Sequence, residues 1–249
     1  MTMRALTASE LLDVWDRGLR RPAVLRPLAI LEPLYTEASA DQLSRLPMGQ
    51  RDAHLLDIRR HTFGRRLAAV TSCPSCGQRL DLEFDVDDVR APAPAHPGGS
   101  AEIDVEQDGW RVTARLPGTS DLAAAAAGGS PEAARRALLK RCLGSVRTAA
   151  GEEASWEDLP EPVLQEIGRQ ITQADPQADV QLALCCPECG HQWSSPFDIG
   201  AFLWEELQHF ASQLLHDVHQ LAWAYGWSEA DILNMSPERR SVYLELTRP

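Results

Sequence analysis

Cysteines stand at positions 73, 76, 142, 185, 186 and 189, and four of them form two copies of one motif. Cys73-Pro74-Ser75-Cys76-Gly77 is matched by Cys186-Pro187-Glu188-Cys189-Gly190. A C-P-x-C-G turn points two thiolates at one centre. Its proline stiffens the loop, and its glycine accepts the backbone bend after the second sulfur. Each pair can therefore supply half of a tetrahedral four-thiolate site. The likeness continues past the turns. Leu80, Phe84, Asp85 and Val86 follow the first turn at the offsets at which Trp193, Phe197, Asp198 and Ile199 follow the second. Both segments read as a knuckle, a strand and a Phe-Asp-aliphatic ending. Two such halves make a zinc ribbon, here split, so a subdomain must be inserted between them.

The same C-x-x-C spacing serves thiol redox chemistry, where it normally opens a helix. Residues 79–86 alternate instead, with Leu80, Leu82, Phe84 and Val86 set against Asp81, Glu83 and Asp85. That is strand periodicity and favours the metal. Four thiolates leave no open coordination position, so zinc bound by Cys73, Cys76, Cys186 and Cys189 is expected to be structural, not catalytic. Such a site contributes on the order of 10 kcal/mol to folding, and it closes a long loop in the unfolded chain. Cys185 aligns with Ser72 and is read as a non-ligand; Cys142 falls in an apolar helical run and is read as core.

Other chemistry is thinly supported. His209, His216 and His219 lie near Glu205, Glu206 and Asp217, and a metal-dependent hydrolase would have to use them, but no H-E-x-x-H order is present. Histidines packed at an interface are the simpler reading. There is no nucleophile elbow or kinase-type series, and Gly98-Gly99 and Gly128-Gly129 lack the strand–loop–helix setting of a phosphate loop. Asp85 and Asp198 read as caps of the segments that follow. The expectation is a protein with no catalytic residues and no small-molecule substrate.

The elements that position the cysteines follow from periodicity. Residues 7–18 read as an amphipathic helix, and 20–33, with Pro22, Pro27 and Pro33, as extended or in broken turns. Residues 39–46 and 49–63 read as helices, the second with arginines at 51, 59, 60, 65 and 66 that form either a solvated face pairing with the protein's acidic residues or a basic stripe. A Pro/Ala/Gly linker at 91–100 precedes a hairpin at 101–116 that turns at Asp108-Gly109. Helices are expected at 121–127, 131–143 and 161–172, and a strand at 180–184. From Asp198 a long helix runs to Gly226, followed by short helices from Ser228 and Ser236. The fold class is α+β: a split four-cysteine zinc ribbon with an inserted small α+β subdomain and a helical C-terminal arm. The expected divisions are 1–44 (N-terminal helical or extended segment), 45–90 (helices, first knuckle, strand), 91–177 (inserted hairpin and helices), 178–200 (second knuckle and strand) and 201–249 (arm).

The chain has 249 residues and a formal charge of −12, with Lys140 its only lysine. So acidic a chain repels phosphate backbones unless its arginines cluster, which makes nucleic acid an improbable partner. Residues 1–10 lack the apolar core of a signal peptide, and no run approaches a membrane span, so the expected location is the cytoplasm with no membrane partner.

The C-terminal residues carry more than periodicity. The run His216-Asp217-Val218-His219-Gln220-Leu221-Ala222-Trp223-Ala224-Tyr225-Gly226-Trp227-Ser228-Glu229-Ala230-Asp231-Ile232-Leu233, with Ser236-Pro237-Glu238-Arg239-Arg240 and Tyr243-Leu244, resembles the T-even phage baseplate hub assembly chaperone family, members of which occur in phage-tail-like contractile injection system clusters. Leu46-Pro47-Met48-Gly49-Gln50-Arg51-Asp52 resembles the start of that family's first shared helix, and Arg115-Leu116-Pro117-Gly118-Thr119-Ser120-Asp121-Leu122 its strand-to-helix turn. The two knuckles resemble those of its zinc-bearing bacterial members. The likeness covers roughly residues 45–249 and leaves 1–44 outside. It implies a non-enzymatic assembly factor (chaperone) or minor structural component of a contractile tail-like baseplate, with baseplate or hub proteins as partners and the assembled particle as a further location. Trp223, Tyr225, Trp227, Ile232, Met235, Arg239, Arg240 and Tyr243 are the expected partner-binding residues, since aromatic and arginine clusters are enriched at protein interfaces. The alternative is a zinc-ribbon adaptor that contacts nucleic acid through residues 51–66 or Arg239-Arg240.

Overall fold

Caps and prolines punctuate the first part of the chain. In the computed structural model, which describes residues 4–92 and 102–247, helix α1 (Ala8–Leu19) starts at a closed capping box between Thr7 and Glu10 and buries Leu11, Leu12 and Val14. Residues 20–33, expected to be extended or in broken turns, do hold a 3-10 turn at Ala23–Leu25, but it runs straight into a helix, α2 (Arg26–Leu31). Pro27 sits in the first turn of α2, where its missing N–H costs no hydrogen bond, and the short helix buries Leu28, Ala29, Ile30 and Leu31. Helices α3 (Ala40–Ser44) and α4 (Met48–Phe63) follow. Strands β1 (Arg66–Ser72) and β2 (Arg79–Asp85) then pair antiparallel, with the first cysteine turn as their loop.

The segment between the cysteine pairs builds its own sheet. Most of the expected linker at 91–100, with Gly98-Gly99, lies outside the described residues, as does Ala101. Strands β3 (Glu102–Gln107) and β4 (Trp110–Arg115) meet at Asp108 (φ 49°) and Gly109 (φ 80°). This is the Asp-Gly signature of a tight hairpin whose two loop residues are both left-handed. Helices α5 (Thr119–Ala126) and α6 (Pro131–Cys142) lead to β5 (Leu143–Arg147), which completes the order β3-β4-β5. The helical pattern that runs to Leu143 hides β5. Helix α7 (Glu161–Ala174) lays Val163 and Ile167 against Val105, Val112, Ala114 and Val146, which closes a core separate from that of the N-terminal helices.

Strands β6 (Val180–Cys185) and β7 (Gln192–Phe197) form the second cysteine hairpin. Its Phe197 ring meets Phe84 of the first hairpin edge to face at 5.5 Å. The long α8 (Ile199–Tyr225) ends at Gly226 (φ 70°) in the left-handed cap that glycine allows. Two short helices, α9 (Glu229–Leu233) and α10 (Pro237–Leu246), start at Ser228 and Ser236. The main core gathers α1, α2, α4 and α8 around Val14, Leu31, Leu55, Leu56, Leu203 and Leu207, and takes in Leu67 of β1 and Val86 of the 3-10 turn after β2. The architecture is α+β. Among the described residues no helix is long and apolar enough to cross a membrane.

Candidate metal centre and docking surfaces

The two cysteine turns share one backbone. In the first, Gly77 N donates to Cys73 O and Cys73 N to Gln78 O; in the second, Gly190 N donates to Cys186 O and Cys186 N to His191 O, each at 2.9 Å. Gly77 and Gly190 hold φ of 75° and 71°, which any side chain would strain. Each turn caps a two-stranded hairpin, so two ladders fix the direction of four Sγ atoms.

Those four sulfurs, from Cys73, Cys76, Cys186 and Cys189, all lie within 4.8 Å of one another. The Cys73–Cys189 and Cys76–Cys186 separations are both 3.7 Å. A tetrahedron with metal–sulfur bonds of about 2.3 Å has edges of about 3.8 Å, whereas a disulfide needs about 2.05 Å. The arrangement thus fits a four-thiolate ion site. Its electrostatics agree. Burial works against the Cys73 thiolate, yet donation from the Cys76 and Ser75 amides brings it down to about 7. The Gln78 amide favours the Cys76 thiolate, but the crowding sulfurs of Cys189, Cys73 and Cys186 push it up to about 12. Adjacent thiolates are held together only by a cation between them. Cys73 and Cys186 are buried, while Cys76 and Cys189 are exposed.

Cys185 stands outside this group, exposed, with its sulfur near the carbonyls of Cys186 and Gly190. Cys142 is buried at the end of α6, and burial raises its thiol to about 11. His209, His216 and His219 are exposed on α8, and His216 pairs with Gln220 at 3.0 Å. Among the described residues they join no group placed to hold a metal. Asp85 and Asp198 accept from the Asp87 and Ala201 amides as caps.

The arginines of 51–66 form a solvated, acid-paired face only in part: Arg65 and Arg66 are exposed and Arg60 half-buried. Arg51 and Arg59 are buried. Arg59 makes a two-pronged bond to Glu206 of α8 at 2.8 and 3.0 Å, and Arg60 and Arg65 pair with Asp87 and Asp85. Guanidiniums already neutralised in this way are poor phosphate ligands.

The residues expected to bind partners divide. Ile232 is 0 % exposed in the core where α8, α9 and α10 meet, and Arg240 is buried beside Asp217, so both belong to the junction itself. Tyr225 stacks on Trp227 at 4.5 Å, and Tyr243 closes on both rings with Arg239 over its face. Met235 is half-buried. Trp223 is 87 % exposed, and Val242 and Leu246 of α10 are exposed too.

One arrangement has no periodic signal in the sequence. The segments Leu46–Asp52 and Arg115–Leu122 lock together. Met48 N donates to Pro117 O at 3.0 Å, Pro47 bridges Gly118, and Arg51 Nη1 donates to Thr119 Oγ1 at 3.3 Å. Gly49 N donates to Asp175 Oδ2 at 2.8 Å. Arg51 also binds Asp52, whose carboxyl burial nevertheless pushes up to about 6. Asp121, with a side chain 1 % exposed, accepts from Arg115 at 2.6 and 2.7 Å, from Arg141 at 2.9 Å and from Gly118 N at 3.0 Å. Burial opposes its charge, but these donors hold it down to about 2. Each segment carries a glycine that permits close approach, Gly49 and Gly118, but the contact between the segments has no periodic mark in the sequence.

Fold and site together define a mixed α+β protein whose distant cysteine hairpins bring four sulfurs together in an arrangement that could hold a metal ion. The family model for the T4 bacteriophage base plate protein matches residues 29–204, and the chain belongs to that family. The match starts within the segment 1–44 that sequence reading leaves outside the likeness. It spans both interlocked segments and both cysteine turns, and it stops before the aromatic arm. No curated protein matches the chain, and no solved structure does.

Proposed function

We propose that the protein is a non-enzymatic assembly factor or minor structural component of a contractile phage-tail-like baseplate, with one zinc ion held by Cys73, Cys76, Cys186 and Cys189 in a split zinc ribbon. Membership of the base plate family over residues 29–204 carries the reading. The site adds the chemistry. Four thiolates suit zinc, leave it no open position, and make it a staple between the start and the end of the inserted segment. On this reading the chain divides at 45–90, 91–177 and 178–200 around the ribbon, and residues 201–249 dock on neighbouring baseplate or hub proteins. Trp223 and the Tyr225–Trp227–Tyr243 shelf present large, rigid side chains of the kind that dominate interface energies.

The test is to isolate tail-like particles from cells with and without the gene. Particles lacking complete baseplates in its absence are expected, and normal baseplates would reject the role. Probing finished particles for the protein separates a resident component from a factor that leaves.

A further inference from the structure

Strand β1 has a free edge. Among the described residues its one strand neighbour is β2. At the two ends of that ladder Cys73 N donates to Gln78 O and Val86 N to Arg65 O, each at 2.9 Å. Bonded pairs alternate along an antiparallel ladder. Leu67, Ala69 and Thr71 therefore bond to β2, and the N–H and C=O groups of Arg66, Ala68, Val70 and Ser72 point away from it. These four positions have no other hydrogen-bond partner among the described residues. All four are exposed, Val70 at 56 %.

Proteins blunt such edges with proline or charge. By the same alternation the outer edge of β7 holds Pro196, which offers no N–H. β3 carries Glu102, Asp104 and Glu106, and β2 carries Asp81 and Glu83. Residues 67–71 of β1 include no proline, glycine or charge. The strand also lies beside carboxylates with little to bind. Glu83 stands opposite Ala68, and Asp81 opposite Val70. Both are exposed. Glu83 has no ion pair among the described residues, and Asp81 has only Arg79 at 4.0 Å. Neighbouring strands lie about 4.8 Å apart. A basic side chain on a strand added outside β1 and the Glu83 side chain close two such spacings between them, with only the Ala68 methyl in the way. On the other face Leu67 is buried and Ala69 and Thr71 are half-buried, so apolar residues of an added strand would extend that layer.

We propose that the outer edge of β1 receives an extended, basic segment of a partner protein as a third strand. Its backbone pairs with Ala68 and Val70, its basic side chains reach Glu83 and Asp81, and its alternate apolar side chains lie beside Leu67 and Ala69. Arg66 faces Asp85 at the start of the strand, so the basic positions belong opposite Ala68 and Val70. A net charge of −12 favours a basic segment over a second copy of the chain. None of these residues belongs to the aromatic arm, and binding by the purified protein is independent of particle assembly.

The test uses the full-length protein and a fluorescein-labelled peptide that alternates valine and lysine. The peptide is expected to bind and to slow hydrogen exchange at the Ala68 and Val70 amides, which exchange fast in the free protein. A glutamate-for-lysine version should bind at least tenfold more weakly. Of two further copies, one N-methylated at the lysines and one at the valines, only one should keep binding, because a single edge of the added strand meets β1. Glu83→Gln should weaken binding about threefold, and Val70→Lys, a change at an exposed site, should weaken it further. The proposal is overturned if the peptide does not bind, if the glutamate version binds as well, or if both N-methylated copies bind like the parent. It is equally overturned if the Ala68 and Val70 amides are already protected in the protein alone, which would give the edge to a second copy.

Discussion

Asp121 and Asp52 are both buried carboxylates beside arginine, and their surroundings drive them in opposite directions. Asp121 accepts four donations, from Arg115, Arg141 and the Gly118 amide, and sits near 2. Asp52 has Arg51 alone, with Asp198 and Asp175 nearby, and sits near 6. The signs of their stability contributions differ accordingly. The stabilisation from Asp121 is complete above the ordinary carboxylate range and is lost as pH falls through about 2. Asp121→Asn should cost about 2 kcal/mol at neutral pH, since the two arginines are partly solvated, and urea unfolding should show the gap narrowing in strong acid. Asp52 acts the other way: its contribution is greatest below the ordinary carboxylate range and is lost as pH rises through about 6. Burial moves Asp175 in the same direction. The Asp52 contribution is read as a difference, because burial holds His54 below its ordinary value and works the other way in the same range: between neutral and mildly acidic pH the urea midpoint of the parent protein should rise relative to that of Asp52→Asn.

At the scale of elements, two glycines of similar type have opposite roles. Gly118 lies where the β4–α5 turn meets the end of α3, and a Cβ there would stand 2.7 Å from Ser44 O and 3.0 Å from Arg45 Cα. Gly118→Ala should cost about 2 kcal/mol, read as a lowered melting temperature. Gly168, inside α7, meets nothing within 4 Å. Gly168→Ala should stabilise by about 0.5 kcal/mol, the usual helix-interior gain. The hairpins that carry the cysteines were legible where side chains alternate, as in β2 with Leu80, Leu82 and Phe84 against Asp81 and Glu83. β1 was not, because Ala68-Ala69 blurs its alternation. β5 was hidden because its first residue continues the Leu138-Leu139 pattern of α6. α2 was obscured because Pro27 reads as a breaker until its place in the first turn is known. The pairing of Arg59 with Glu206 leaves no trace in the sequence, since a charged residue on a helix reads as solvated until its distant partner is found.

At the scale of the whole molecule, the two largest apolar cores, one around α4 and α8 and one under the β3–β5 sheet, are joined by polar locks, and four cysteines bring together the two hairpins that pack on the first. The convergence of the two cysteine pairs was legible from spacing, because the two turns repeat the same residue types at the same offsets. The Arg51, Asp52 and Asp175 lock was not, because nothing periodic marks a buried ion cluster. Each two-stranded hairpin is too small to be stable alone, so the ion is expected to hold both. Cys76→Ser and Cys189→Ser lie in different hairpins, yet removal of either ligand should have the same effect. The most direct measurement is elemental analysis of the purified parent protein and of these two variants, with thermal unfolding alongside. The account requires about one zinc per chain in the parent and loss of both metal and cooperative unfolding in each variant. A parent free of metal, or a Cys189→Ser protein that keeps its full complement and its melting temperature, would contradict it.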